Sequence, residues 1–114
     1  MWSLPLTSVV VAANPAAEAG GNALQLGAPY PNPSRGGAAA VRFVVPRRSE
    51  VQVDVFDVTG RRVRTLGSET LDEGTHTASW DGRDDHGAQA AAGVYLIRAR
   101  SAGVEQVRKL TVIR

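Results

Sequence analysis

Three aspartates in one short run are the strongest candidates for chemistry in this sequence. Asp81, Asp84 and Asp85 lie within DGRDDHG, and calcium takes several oxygen ligands that such a run can supply. Their spacing does not match the Asp-x-Asp-x-Asp-Gly loop with its terminal Glu, and aspartate also caps turns without any metal. We therefore expect turn caps and no bound metal, with these three carboxylates as the calcium candidate.

No other group of side chains favours catalysis. The two histidines, His76 and His86, have no neighbours in the sequence that would build a histidine-based site, and Ser79 is not part of a Gly-x-Ser-x-Gly elbow. The chain contains no cysteine, which excludes disulfides and cysteine-based zinc sites. We expect a protein that is not an enzyme and that uses no cofactor.

The charges are nearly balanced and are dispersed along the chain. Lys and Arg number 13 and Asp and Glu number 11, for a formal net charge of +2. The short basic stripe at Arg61, Arg62 and Arg64 is typical of an edge strand whose charges block aggregation. Nucleic acid is therefore not an expected partner. No apolar run approaches the roughly 18–20 residues that span a bilayer, so we expect no membrane insertion.

Alternation of apolar and polar residues predicts β-strands through most of the chain. Apolar residues recur at every second position from Val41 to Val45 and from Val51 to Val55, and turn formers such as Thr59-Gly60 separate the runs. About seven short strands at this spacing predict an all-β fold, an immunoglobulin/fibronectin-III-like two-sheet antiparallel sandwich. The residues predicted to be buried are Val41, Phe43, Val51, Val53, Val55, Trp80, Tyr95, Ile97 and Leu110.

Composition divides the chain into two parts. Residues 1–23 form an N-terminal strand-like segment with an Ala/Gly/Pro linker, and residues 24–114 form the sandwich domain. The strand-like residues 4–13 carry no charge, which favours pairing with a sheet edge, either in the same chain or in another copy. The linker is residues 14–23. The residues that would make a donated strand are Leu6, Val9, Val10 and Val11.

Five motifs in order carry a resemblance to a known family. They are PYPNPSRG, VQVDVFDVTGRRVRTL, WDGRDDHG, GVYLIR and RKLTVIR, and together they cover about residues 24–114. In this order they resemble the immunoglobulin-like domain of flagellar hook-capping proteins. They are also similar to the C-terminal sorting domains of the type IX (Por) secretion system.

The resemblance implies a function and a set of positions. It implies a non-enzymatic, extracellular or cell-surface module, structural or sorting, in a bacterial secreted protein, with secretion or surface machinery as its protein partner. Gly93, Tyr95, Lys109 and Leu110 match the segment that sorting domains use for recognition. The alternative is a self-assembling filament or surface-fibre subunit, joined to other copies by donation of the N-terminal strand.

Overall fold

A computed structural model of the chain describes residues 23–114 and contains eight β-strands there. The residues of the expected N-terminal strand, Leu6, Val9, Val10 and Val11, lie outside this range. The strands in chain order are β1 (Gln25–Leu26), β2 (Ser34–Arg35), β3 (Ala38–Val45), β4 (Ser49–Asp57), β5 (Arg62–Leu71), β6 (Gly74–Asp81), β7 (Gly93–Ser101) and β8 (Val104–Ile113). In this part of the chain no helix is long and apolar enough to cross a membrane.

The strands form two sheets, which confirms the predicted sandwich. The small sheet has the order β1-β3-β6, and the large sheet has the order β2-β8-β7-β4-β5. Every pairing is antiparallel except the short parallel contact of β2 with β8. Two of the eight strands are two residues long, so the six long strands account for most of the expected number.

The core lies between the sheets, and the β-branched residues Val and Ile make up eight of its 17 buried apolar side chains. All nine residues predicted to be buried are buried, because each occupies the inward position of a strand with a two-residue period. Trp80 fills the end of the core, with its ring centroid 5.4 Å from that of Tyr95. Its indole N–H donates to the carbonyl of Arg83 at 2.8 Å, so the burial of this large side chain leaves no polar group unsatisfied.

Within the large sheet, the β7–β8 ladder is regular and the β4–β5 ladder is not. The β7–β8 ladder runs without interruption from Gly93 to Ser101, and Gly93 has a φ of 153°, which other residues rarely adopt. The β4–β5 ladder has two register shifts, one between Val53 and Asp54 and one between Val55 and Phe56. At each shift β5 contains one extra residue.

Candidate functional site

The acidic loop after β6 uses its carboxylates to build turns. Asp84 Oδ1 accepts hydrogen bonds from the backbone N–H groups of His86 and Ala88, both at 2.9 Å. Its pKa is lowered, first by the Ala88 hydrogen bond and then by that from His86. Asp81 Oδ1 likewise accepts from the backbone N–H of Arg83, which lowers its pKa. Both side chains are therefore occupied as turn caps.

The third aspartate of the loop, Asp85, covers the first part of the outer edge of β5. Its backbone N–H donates to the carbonyl of Val63 at 3.0 Å, and its Oδ1 accepts from the N–H of Thr65 at 3.2 Å. These two contacts are the ones that a neighbouring strand would make. Arg64 holds the loop in place by donating to Asp81 Oδ1 at 2.9 Å. Across residues 23–114, no three acidic, histidine or cysteine side chains come together as a metal site would require.

A side-chain amide closes part of the opposite edge of the large sheet. Asn32 donates from Nδ2 to the carbonyl of Lys109 and accepts at Oδ1 from the N–H of Thr111, each at 3.0 Å. The Asn side chain thus takes the place of a backbone amide beside β8. Immediately afterwards, β2 pairs with the end of β8, through Ser34 with Val112 and Arg35 with Ile113. The Pro-Asn-Pro segment therefore acts as an edge cover.

The edge formed by β1 is closed by side chains from the other sheet. The N–H of Leu26 donates to Gln106 Oε1 at 2.7 Å, and its carbonyl accepts from Arg108 Nε at 2.9 Å. Both partners lie on β8 and reach from the large sheet to the small one on the side of the sandwich where β1 and β8 are neighbours. The backbone polar groups of Leu26 are satisfied, and the edge cannot readily add another strand.

The remaining edge, β6, is open. β6 pairs with β3 from Gly74 to Asp81, and within residues 23–114 no backbone or side-chain group bonds the other side of its main chain. Residues 74–80 (GTHTASW) include no Asp, Glu, Lys, Arg or Pro, the residues that usually protect an edge. His76 is held by its ring, which stacks on Phe43 with centroids 5.7 Å apart. Among the described residues, β5 beyond Thr65 is also without an edge partner, but it carries Glu69, whereas residues 74–80 of β6 carry no charged residue or proline.

The outer face of the small sheet is flat and carries short side chains. Alternate residues of β3 and β6 form it, with Arg42 beside Thr77 and Val44 beside Thr75. Tyr30 joins the face through a bridge to Ala40, is 45% exposed, and lies under the Arg42 guanidinium, 5.7 Å from ring centroid to Cζ. The members of this face, called the outer small-sheet face below, are Gln25, Tyr30, Ala38, Ala40, Arg42, Val44, Thr75, Thr77, Ser79 and Asp81.

The four positions of the sorting-like motif lie together on β7 and β8. Tyr95 pairs directly with Leu110, and both are buried in the core. The Tyr95 hydroxyl donates to the carbonyl of Ala91 at 2.6 Å. Packing alone therefore accounts for Tyr95 and Leu110, while Gly93 and Lys109 are exposed and accessible to a partner.

Comparison with known proteins identifies relatives of this arrangement. A family model described as the FlgD Ig-like domain matches residues 32–104. FlgD from Xanthomonas campestris, a structure concerned with hook capping in flagellar assembly, is 26% identical with a TM-score of 0.55, over 79% of this chain and 67% of that chain. FlgD from P. aeruginosa is 23% identical with a TM-score of 0.54, over 65% of this chain and 60% of that chain.

A third relative is a much longer chain. Dimeric latent PorU from Porphyromonas gingivalis is 24% identical with a TM-score of 0.64, over 93% of this chain but 10% of that chain. This chain therefore spans 60% of the P. aeruginosa FlgD structure and a tenth of PorU. No curated protein sequence matches it.

Proposed function

This chain belongs to the FlgD Ig-like domain family, and from that premise we propose that it is a non-enzymatic structural and sorting module of a bacterial secreted or surface protein. It acts through contacts with other proteins at the cell surface or outside the cell. The relatives support protein partners, since one structure concerns hook capping in flagellar assembly and another is a dimeric PorU.

The observation that carries the proposal is the outer small-sheet face. The aspartates that are candidates for chemistry already cap turns or cover an edge, whereas this face is solvent-exposed and serves no purpose inside the module. It combines Tyr30 and Arg42, residue types enriched at protein interfaces, with short Thr and Ala side chains that let a partner approach closely. Among its members Arg42 is the one cation, and the one acid, Asp81, is paired with Arg64 at 2.9 Å, so an acidic or neutral partner surface fits the face best.

The sorting role rests on the exposed part of the motif. Lys109 projects from β8 on the same side as Val107, which is 47% exposed, and neither side chain is needed for the core. If export machinery reads this segment, it meets the Lys109 ammonium rather than the buried Tyr95 and Leu110.

A reporter fusion in a bacterium with a type IX secretion system tests this role. We expect the reporter to reach the cell surface or medium when the chain is fused to its C-terminus. Lys109→Ala should lower the exported fraction severalfold, and the matched variant Val107→Ala should not. A reporter that stays in the periplasm with the unaltered chain would exclude sorting and leave the structural role of the hook-capping relatives.

The open edge of β6 bears on the alternative of a self-assembling subunit. An edge of this kind adds an extended segment by main-chain hydrogen bonding. The segment with the higher local concentration at the edge pairs with it. The pairing joins two copies only if that segment belongs to another copy of the chain.

A further inference from the structure

The open side of the sandwich shows two signs of incomplete coverage. The first is the unpaired main chain of β6. The second is apolar: Leu66 and Leu71 on β5 and Ala78 on β6 pack against the core but stay only partly buried. These strands border the same gap, because the chain passes from the large sheet to the small sheet between them. One further strand beside β6 would provide hydrogen-bond partners for this unpaired main chain. It would also cover part of the apolar surface of these partly buried side chains.

We propose that residues 4–13 of the same chain pair antiparallel with the free edge of β6 and make the small sheet four-stranded. This segment (LPLTSVVVAA) contains no Asp, Glu, Lys or Arg, and neither do residues 74–80 of β6, so pairing along them buries no carboxylate, ammonium or guanidinium group. Val9, Val10 and Val11 are β-branched, which suits a strand packed on both faces. The inference concerns the chain's own fold and goes beyond the proposed function.

The direction follows from the register of the small sheet. Gln25 pairs with Val44, and Gly74 pairs with Val45, so β1 begins at the end of the sheet where β6 begins. A strand antiparallel to β6 would end at that same end. The linker then has to cross only the width of the sheet, whereas a parallel strand would require it to return along the whole length of β6.

The distance that the linker has to span decides whether residues 4–13 pair with β6 of their own chain or with β6 of another copy. The linker has to cross three inter-strand spacings, from β1 to β3, from β3 to β6 and from β6 to the added strand. Together these spacings measure about 14 Å. A flexible linker of residues 14–23 has a root-mean-square span of about 16–19 Å. Effective concentration is highest when span and distance match, and it then reaches the order of millimolar. Pairing within the chain therefore outcompetes donation to another copy at micromolar protein concentrations.

Cysteine cross-linking tests the proposal, because the full chain contains no cysteine of its own. Thr77→Cys on β6 is combined in turn with Val9→Cys, Val10→Cys or Val11→Cys, and with Glu69→Cys on β5 as the control for collision. After mild oxidation, the products are separated on non-reducing gels and identified by intact mass. We expect a cross-linked monomer whose yield alternates along the segment, with Val10 differing from both Val9 and Val11, since neighbouring residues of a strand point to opposite faces.

The other outcomes overturn the proposal. Cross-linked dimers would show that the segment is donated between copies. Equal yields at all three positions, or yields no higher than between Thr77→Cys and Glu69→Cys, would show a loose tether and no strand. None of these readouts involves export, so they succeed or fail independently of the sorting role.

Hydrogen exchange in the full chain gives a second measurement that needs no cross-link. Val10→Pro removes a backbone donor from the proposed strand, whereas Ala17→Pro changes only the linker. We expect Val10→Pro to speed exchange of the β6 amides that face the gap by about tenfold or more, with Ala17→Pro close to the unaltered chain. Unchanged protection of β6 in Val10→Pro would contradict the pairing.

Discussion

Arg98 Nη2 lies 3.5 Å from Oδ2 of Asp54, a carboxylate whose side chain is 1% exposed although it alternates with the core residues of β4. Gln52 Nε2 also donates to Oδ2, at 3.0 Å. The guanidinium continues to Glu105 at 3.2 Å and stacks on the Phe56 ring, 4.4 Å from its centroid. One arginine thus covers a buried charge on the outer face of the large sheet and neutralises it.

Removing this arginine should be costly. Arg98→Met keeps much of the apolar stem but leaves Asp54 buried without its cation, so we expect the free energy of unfolding to fall by about 2–4 kcal/mol, with Arg98 partly exposed. Arg100→Met, on the same strand and face, should change it by about 0.5 kcal/mol or less. Urea denaturation measures both. Adding Asp54→Asn to Arg98→Met should restore part of the loss, and equal effects of the two arginine variants would refute the argument.

Trp80 should be the most sensitive core position. Trp80→Ala removes the side chain that fills the end of the core and contacts Tyr95, so we expect a loss of about 3–5 kcal/mol in thermal or denaturant unfolding. Thr77→Ala, on the exposed face of the same strand, should cost about 0.5 kcal/mol or less. A small effect of Trp80→Ala would mean that the two sheets close without it.

Asn32 should stabilise the edge of β8 through its amide. Asn32→Ala removes the hydrogen bonds to Lys109 and Thr111, and we expect a loss of about 1–2 kcal/mol, since water can replace part of them at this exposed site. The Thr111 amide should exchange faster in hydrogen-exchange measurements. Gln25→Ala is the exposed control. Protection of Thr111 that survives Asn32→Ala would show that the amide does not act as an edge cover.

Calcium should leave the melting temperature unchanged. The carboxylates of Asp81, Asp84 and Asp85 already accept hydrogen bonds from backbone N–H groups, which a cation would have to displace. A ligand that bound the folded state would raise the melting temperature, and the rise would grow with the logarithm of its concentration. Scans in millimolar calcium and in chelator should therefore coincide. A rise of several degrees with calcium would restore the three aspartates as a metal site.

Acid should destabilise the module through its turn aspartates. Hydrogen bonds from the Thr59 hydroxyl lower the pKa of Asp57, and those from the Ala88 N–H lower that of Asp84, whereas the unfolded carboxyls titrate near 3.8. The stabilisation is complete above that value and is lost as the pH falls through the lower folded pKa. We expect the denaturation midpoint to fall as the pH drops below about 4, and less steeply in Asp57→Asn/Asp84→Asn. A midpoint independent of pH over this range would contradict the assignment.

The buried residues of the core could be predicted from the sequence, whereas the groups that cover the sheet edges could not. Val51, Val53 and Val55 could be placed because burial in a strand follows a local two-residue period. Asn32 and Asp85 could not be recognised as edge covers, because their partners lie 77 and 20 residues away in the chain. A polar residue in a turn looks the same in sequence whether it caps its own loop or closes a distant strand.

The burial of Asp54 could not be predicted from the sequence either. Its alternation with Val53 and Val55 correctly indicates the outer face of the sheet, and outer positions are usually wet. Its burial depends on Arg98 and Phe56 folding over it, which is a property of three side chains on two strands. The sorting-like motif includes both Tyr95 and Leu110. These two residues do pair in the structure, but they pair as part of the core.

The parallel contact between β2 and β8 has a mechanical consequence. A pulling force that enters through Pro33 and leaves through Ile113 draws the two strands in opposite directions along their axes. The Ser34–Val112 and Arg35–Ile113 pairings, and the bond from Gly36 N–H to the Ile113 carbonyl at 2.8 Å, then bear the force together in shear. Bonds loaded in this way must rupture at once and cannot unzip one by one. The short parallel pairing of β2 with β8 therefore gives the module tensile strength along one axis.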